Sequence, residues 1–398
     1  MHHESAPPQR LLHVGRQPIY GRDRGLIGYE LLYRSSAENR AMFTDGDRAS
    51  LTVMLAAFVE IGLPALTSGR TAFINITRNG ILCEFPRIFP REGVVFEILE
   101  DVAGDEDVMQ ALMRMVEDGH VFALDDFRET PVNKTLLPWV KMLKLDVQAL
   151  SVEELTHHAR SHAHLEIIAE KVETREQHER CLELGIGAFQ GYWFAPPKVL
   201  SCVMPPVSRA TVLSLLMLLK GREHFDPAAA AAVLATDPAM LLRVLRAAPA
   251  PEHGIATLGE ALHAIGADRL ASICTLLVLA TDGDEPPPPP EGVMARARLA
   301  EILGAVTSRN EADEALFAGL LLAATPDALT RGAILAALPL APATREAILE
   351  HTGSLGAILR AAANFCDSAL HAAPGEEVTD MVRAAHHRAR RARDLLLA

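Results

Sequence analysis

The chain has 398 residues and a formal charge of −13, with 49% hydrophobic and 22% charged residues. That length exceeds what one hydrophobic core usually serves, so two domains are expected in an ordinary globular chain. An acidic chain whose one dense basic run is RAAHHRARRAR (383–393) is a poor general nucleic-acid binder, because phosphate contacts need a basic surface, and the run reads as the solvated end of a last helix.

Five cysteines, Cys83, Cys181, Cys202, Cys274 and Cys366, lie far apart without a CxxC pair. Reduced thiols are expected, not a disulfide framework or a zinc knuckle. The opening MHHESAPPQR lacks the apolar core of a signal peptide, and the longest apolar run, LASICTLLVLA (270–280), is short for a membrane span. A cytoplasmic location without a membrane anchor is therefore expected.

Short apolar runs follow one another up to residue 197: QPIY (17–20), LIGYELLY (26–33), TAFINIT (71–77), VVFEILE (94–100), VFALDDF (121–127), KMLKLDV (141–147), LEIIAE (165–170) and GAFQGYWF (187–194). Helical patterns separate several of them. Between Arg48 and Ile61, for example, Leu51, Met54, Leu55 and Phe58 share one face. Strands alternating with helices predict an α/β layout with a mainly parallel sheet, and eight strands in so short a span predict a closed barrel.

Two proline pairs then bracket a boundary at APPKVLSCVMPP (195–206). Beyond it strand signals cease. Helices are predicted near 207–222, 227–234, 238–247, 258–282, 291–307, 311–323, 328–338, 343–362 and 376–396, with Asp237 and Thr344 as N-caps. The segment DGDEPPPPPEG (282–292) is a proline loop that divides them.

Nearly every barrel run carries an ionisable or amide residue near its end: Gln17, Glu30, Asn75, Glu97, Asp125 with Asp126, Lys144, Glu170 and Gln190. In a parallel-type barrel these ends meet at the C-terminal rim, where such folds build sites. A buried carboxylate in a strand such as VVFEIL is costly unless it is paired or metal-bound. Carboxylates and an asparagine amide are hard oxygen ligands suited to Mg²⁺ or Mn²⁺. Adjacent Asp125 and Asp126 suit two cations held close together for phosphodiester hydrolysis, with Lys144 supplying positive charge or orienting the attacking water. Rim residues that satisfy one another without metal or nucleotide are the plain structural alternative. His157, His158, His162 and His164 cluster before the seventh run, and His158 with His162 has zinc-compatible spacing, although surface histidines without metal are commoner.

On these residues the first half resembles the EAL family of cyclic-di-GMP phosphodiesterases. The matching segments are QPI (17–19), GYELLYR (28–34), FINIT (73–77), FEILE (96–100), LDDF (124–127), LKLD (143–146), AEKVE (169–173) and FQGYWF (189–194), in family order. The resemblance implies a TIM-like (β/α)8 barrel over 11–197. It implies Glu30, Asn75, Glu97 and Asp125 as metal ligands, with Asp126 and Glu170 as partners of a second metal or its water. Lys144 becomes the water-orienting lysine, and Gln17, Arg34 and Gln190 contact the ligand.

Four departures accompany it. Leu31 stands for the alanine of the name motif, and Arg128 for the glycine after Asp-Asp-Phe. RETPVNKTLLP (128–138), a couple of residues shorter, replaces a Gly/Ser-rich loop that active relatives use to couple metal binding to dimerisation and that Glu100 would anchor. Lys171 replaces a glycine.

The second half, 201–398, resembles helical HDOD domains through ATDPAMLLRVLRAA (235–248), IATLGEALHAIGADRL (255–270) and DEALFAGLLLA (313–323). Leu321 to Ala324 stand where an HD hydrolase would show its His-Asp pair, which implies a regulatory module that binds protein partners. The expectation is an EAL–HDOD signalling protein, a degenerate EAL domain acting through protein contacts. Active metal-dependent hydrolysis to linear pGpG and non-hydrolysing reception of cyclic-di-GMP are the alternatives, and a homodimer stays open.

Overall fold

A computed structural model describes residues 10–36, 46–204, 208–219, 225–280 and 291–372. The basic run 383–393, the helix expected at 376–396 and residues 282–290 of the proline loop lie outside them. The chain divides into two compact units, Met1–Met204 and Pro205–Ala398.

The first unit is built on nine strands: β1 (Arg10–Gly21), β2 (Leu26–Arg34), β3 (Thr71–Ile76), β4 (Val94–Ile98), β5 (Val121–Leu124), β6 (Met142–Asp146), β7 (Glu166–Glu170), β8 (Ala188–Phe189) and β9 (Lys198–Met204). Strands β2 to β8 pair in sequence order, and β1 lies between β8 and β2, closing a ring of eight. The neighbours from β2 to β8 are parallel. β1 runs antiparallel to both β2 and β8. The short turn after Gly21, where Arg24 N–H donates to Gly21 O, allows only an antiparallel return.

The division between the units falls inside the segment 195–206, after Met204, but most of that segment is a strand, β9, which the sequence did not lead us to expect. This strand pairs antiparallel with β1 from Arg10↔Met204 to Arg16↔Lys198, along the edge of β1 that β8 leaves unpaired.

Inside the ring, Ile19, Phe73, Val95, Ala123 and Ile168 form one apolar cluster, with Met142 and Ala188 packed against it. Each comes from a different strand. Gly28 of β2 contributes no side chain, since a Cβ there would lie 2.4 Å from Thr71 O and 2.9 Å from the Phe73 ring. Helices cover the outside. The expected helix at 48–61 is α-helical over Gly46–Leu55 and continues as one π turn over Ala56–Glu60, with Met54, Leu55 and Phe58 buried.

The described part of the second unit is helical: Arg209–Leu219, Pro227–Leu234, Pro238–Ala247, Leu258–Ile265, Ala267–Ala280, Glu291–Gly304, Arg309–Ala324, Ala328–Ala336, Pro342–Leu349 and Gly353–Ala372. Two predicted helices are each split. The one at 258–282 breaks at Gly266, whose φ of 72° ends the first segment, and the one at 343–362 breaks around His351. Asp237 caps its helix by accepting from Met240 N–H. Thr344 does not: that helix begins at Pro342 behind Ala341, and Thr344 is buried within it. Thr257 and Ser308 are caps that the sequence reading passed over, both written as Ser/Thr-x-x-Glu. Leu241, Leu245, Leu262, Leu277, Phe317 and Leu320 are fully buried in this unit. Among the described residues no single helix is long and apolar enough to cross a membrane. One pair bent by 90°, Leu258–Ile265 with Ala267–Ala280, passes on length and composition together.

Candidate functional site

Side chains on a strand face the same way every second residue. One pleat beyond the apolar layer, toward the strands' C-terminal ends, Phe73 is followed by Asn75, Val95 by Glu97, Ala123 by Asp125, Met142 by Lys144, Ile168 by Glu170 and Ala188 by Gln190. β1 runs the other way, so its counterpart precedes Ile19 and is Gln17, directly opposite Glu30. A polar layer thus caps the apolar one at the rim.

Lys144 is its centre. The ammonium is 1% exposed and lies 2.8 Å from Asp125 Oδ1, 2.8 Å from Glu170 Oε1, 2.9 Å from Glu97 Oε1 and 3.6 Å from Glu30 Oε1. One cation therefore faces four carboxylates. Gln190 donates to Glu30 Oε2 and, at 3.1 Å, to Gln17 Oε1. The Asn75 amide donates to Glu30 Oε1 at 3.4 Å. Arg34, four residues beyond Glu30, is buried and feels the charge of Glu30. Burial pulls its pKa down. Gly15 leaves room for its guanidinium, which a Cβ would meet at 3.1 Å.

The electrostatics follow from this imbalance. Burial pushes Glu97 well above the carboxylate range; Lys144 opposes the shift, while Glu30, Asp125 and Glu170 add to it. Glu170 is raised to about 8 for the same reasons. Burial alone would lower Lys144, but the four carboxylates outweigh it and hold the ammonium well above its usual value.

These residues fit a hard divalent cation. Asn75 Oδ1 and Glu97 Oε2 are buried without a hydrogen-bond partner, and Glu97 Oε1 meets Lys144 only as an ion pair. Unpartnered buried oxygens beside excess negative charge are costly, and a cation with oxygen preference relieves both.

Asp126 is not brought into this cluster. Its backbone is left-handed, with φ of 41°, and its Oδ1 lies 3.4 Å from Lys171 Nζ. Lys171, itself at φ of 54°, also pairs with Asp146 Oδ2. Burial raises Asp146, but the Lys171 ammonium and the N–H groups of Gln148 and Ala149 outweigh it and bring the carboxyl below its ordinary value. A small cleft of about 70 Å³ is lined by Glu100, Asp126, Phe127 and Asp146. Asp146 and Lys171 were absent from the sequence-derived site. Asp146 carried a signal: it stands two residues after Lys144 on one strand and so shares its face.

The altered loop after Asp126 is a closed structure. Phe127 N–H donates to Lys144 O, and Asn133 Nδ2 donates to Arg128 O. Thr130 caps the following helix, Pro131–Leu136.

No family profile matches the chain. It is 26% identical over 362 residues to the cyclic di-GMP phosphodiesterase CdgJ of Vibrio cholerae, covering 87% of this chain and 83% of the relative. It is 33% identical over 198 residues to the uncharacterised YuxH of Bacillus subtilis, covering 47% of this chain and 48% of the relative. Among solved structures, an EAL domain protein from Listeria monocytogenes matches with a TM-score of 0.39 at 16% identity, over 47% of this chain and 88% of the other. Bacillus subtilis YkuI, solved with cyclic-di-GMP and calcium, matches with a TM-score of 0.39 at 19% identity, over 47% and 56%. The similarity to EAL-domain proteins covers about half of the chain.

Proposed function

We propose that the first unit is a metal-dependent cyclic-di-GMP phosphodiesterase, opening one phosphodiester bond to give linear pGpG. The observation that carries the reading is the convergence of Glu30, Glu97, Asp125 and Glu170, from four different strands or their ends, on the buried ammonium of Lys144. Structural ion pairs are usually balanced, whereas this set is short of positive charge.

Glu30, Asn75, Glu97 and Asp125 would hold Mg²⁺ or Mn²⁺, with Asp126 and Glu170 reserved for a second ion. A cation there supplies Lewis-acid stabilisation of the phosphate oxygens and eases ionisation of water. The chain's own groups divide the remaining work. Lys144 keeps its proton on Nζ and presents fixed positive charge to the phosphoryl group. Glu170, raised to about 8 while no cation is bound, would give up its proton when it takes a second ion. Gln190 and Gln17 offer amides at the rim, and Arg34 offers a guanidinium for a phosphate oxygen.

Lys171 favours a second reading, the non-hydrolysing receptor or contact-based signalling protein. Its ammonium already pairs with Asp126, one of the two carboxylates reserved for a second ion, and with Asp146. The second unit fits the regulatory role in either case, through its HDOD resemblance. In support, the match to the Vibrio cholerae protein is 362 residues long, more than the first unit can supply. Protein partners of that unit and a homodimer belong to the same proposal.

The test is incubation of the full chain with cyclic-di-GMP and Mn²⁺, resolving products by chromatography beside Glu30→Gln. Metal-dependent linear dinucleotide, lost in the variant, is the expected result. Nucleotide binding without product, and product on Lys171→Gly, would establish the second reading.

A further inference from the structure

Away from the rim, Glu129, His157 and His158 each offer one donor atom, and the three atoms lie within 4.8 Å of one another. Glu129 belongs to the loop after β5, and both histidines to the helix Val152–Ser161. They line one open cavity of about 440 Å³ together with Arg128, Glu153 and Glu154. We propose that this cavity is a zinc-class metal site, with Glu129, His157 and His158 as ligands and water or Glu153 in the fourth position.

Each ligand is prepared for the role. Glu129 is shared: its Oε1 pairs with Lys134 at 2.7 Å, while its Oε2 faces His157 Nε2 at 2.9 Å. These two contacts hold the carboxyl down at about 2, so it is ionised, and a metal would take the place of the His157 proton at Oε2. The other nitrogen of His157, Nδ1, faces Ser161 Oγ at 3.5 Å and can carry the ring proton once Nε2 gives up its own to a metal. His158 is only 5% exposed, and its Nδ1 is buried without a hydrogen-bond partner. Burial holds this imidazole below its usual pKa, and a neutral ring is the form that binds metal.

Imidazole and carboxylate together suit zinc better than magnesium or calcium, which prefer all-oxygen shells. Tetrahedral zinc with ligands at about 2.0–2.1 Å keeps its donor atoms roughly 3.4 Å apart, so a modest side-chain adjustment closes the present set. The other charged groups of the cavity are engaged or acidic. Arg128 donates to Ala149 O at 3.3 Å, and Glu154 accepts from Ser151 N–H in the helix cap. The pair suggested by sequence spacing, His158 with His162, is not the one assembled. His162 lies outside the group and packs its ring on Phe127.

The site is independent of the rim cluster and of hydrolysis. A metal there would tie the loop that follows Asp126 to the helix Val152–Ser161, three residues from a candidate active-site carboxylate.

Zinc titration by calorimetry on the full chain, in excess Mg²⁺ to occupy the oxygen-rich rim, tests it. One zinc per chain is expected, with X-ray absorption reporting two imidazoles and light-atom ligands only. His157→Ala, at a half-exposed position where folding is not at stake, is expected to abolish that binding, and Glu129→Gln to weaken it. His164→Ala, outside the group, is expected to leave it unchanged. Zinc binding that survives His157→Ala, a shell without imidazole, or no binding at all would overturn the proposal.

Discussion

At the scale of single residues, the rim is a site where stability is given up. Glu97 is fully buried, with one oxygen unpartnered and a carboxyl held well above its ordinary range. Glu97→Gln keeps the shape and removes the charge. Metal-free protein carrying it is expected to gain roughly 1–3 kcal/mol by denaturant unfolding at neutral pH, since the wild-type carboxyl must take up a proton on folding and glutamine need not. The same variant is expected to lose divalent-cation binding at the rim. The pH dependence has a definite sign. Glu170 and Glu97 have raised folded-state values, so above about 4.5 the folded chain binds more protons than the unfolded one, and stability falls as pH rises. The fall is expected to run from about 4.5 toward about 8, where the Glu170 share is complete. Lys144 does not contribute in that window, because its raised value keeps it protonated in both states. Chemical denaturation of metal-free protein across this range measures the slope, and Glu97→Gln is expected to flatten it.

At the scale of elements, β9 is the strand that the boundary signal concealed. It covers the edge of β1 from Arg10 to Arg16. A fragment ending at 197 leaves that edge open, and exposed strand edges template aggregation. Residues 1–204 are expected to be more stable and more soluble than residues 1–197, as read by thermal melting and light scattering. Equal behaviour would mean that β9 is dispensable. In β2, Gly28 has a packing reason that its motif position does not reveal. Gly28→Ala drives a Cβ to 2.4 Å from Thr71 O and is expected to cost about 1–3 kcal/mol through overpacking, in metal-free and metal-loaded protein alike.

At the scale of the whole molecule, each unit has its own buried core, so each is expected to unfold in its own transition. A ligand that binds only the first unit at a hundred times its Kd adds about 2.7 kcal/mol to that unit. For a body of this size the gain corresponds to roughly 5–10 °C. Calorimetry with Mn²⁺ is expected to move one transition and leave the other in place.

Much of the rim was legible in the sequence, because strand periodicity places every second side chain on one face. Gln17, Glu30, Asn75, Glu97, Asp125, Lys144, Glu170 and Gln190 each sit two residues from an apolar or glycine position inside the ring. Local patterning alone carries that information, as do the Ser/Thr-x-x-Glu caps of the helical unit. What periodicity does not carry is the path of the chain between elements. The left-handed turns at Asp126 and Lys171 send Asp126 away from Lys144 and toward Asp146, although sequence adjacency had grouped it with Asp125. The antiparallel placing of β1 and the pairing of β9 with it depend on which edges remain unfilled once the ring closes. Glu129 meets His157 only because a loop and a helix 28 residues apart in sequence share one cavity wall. Spacing along the chain determined which faces are polar; closure of the barrel decided which polar groups meet, because contacts between distant segments exist only once the core is packed.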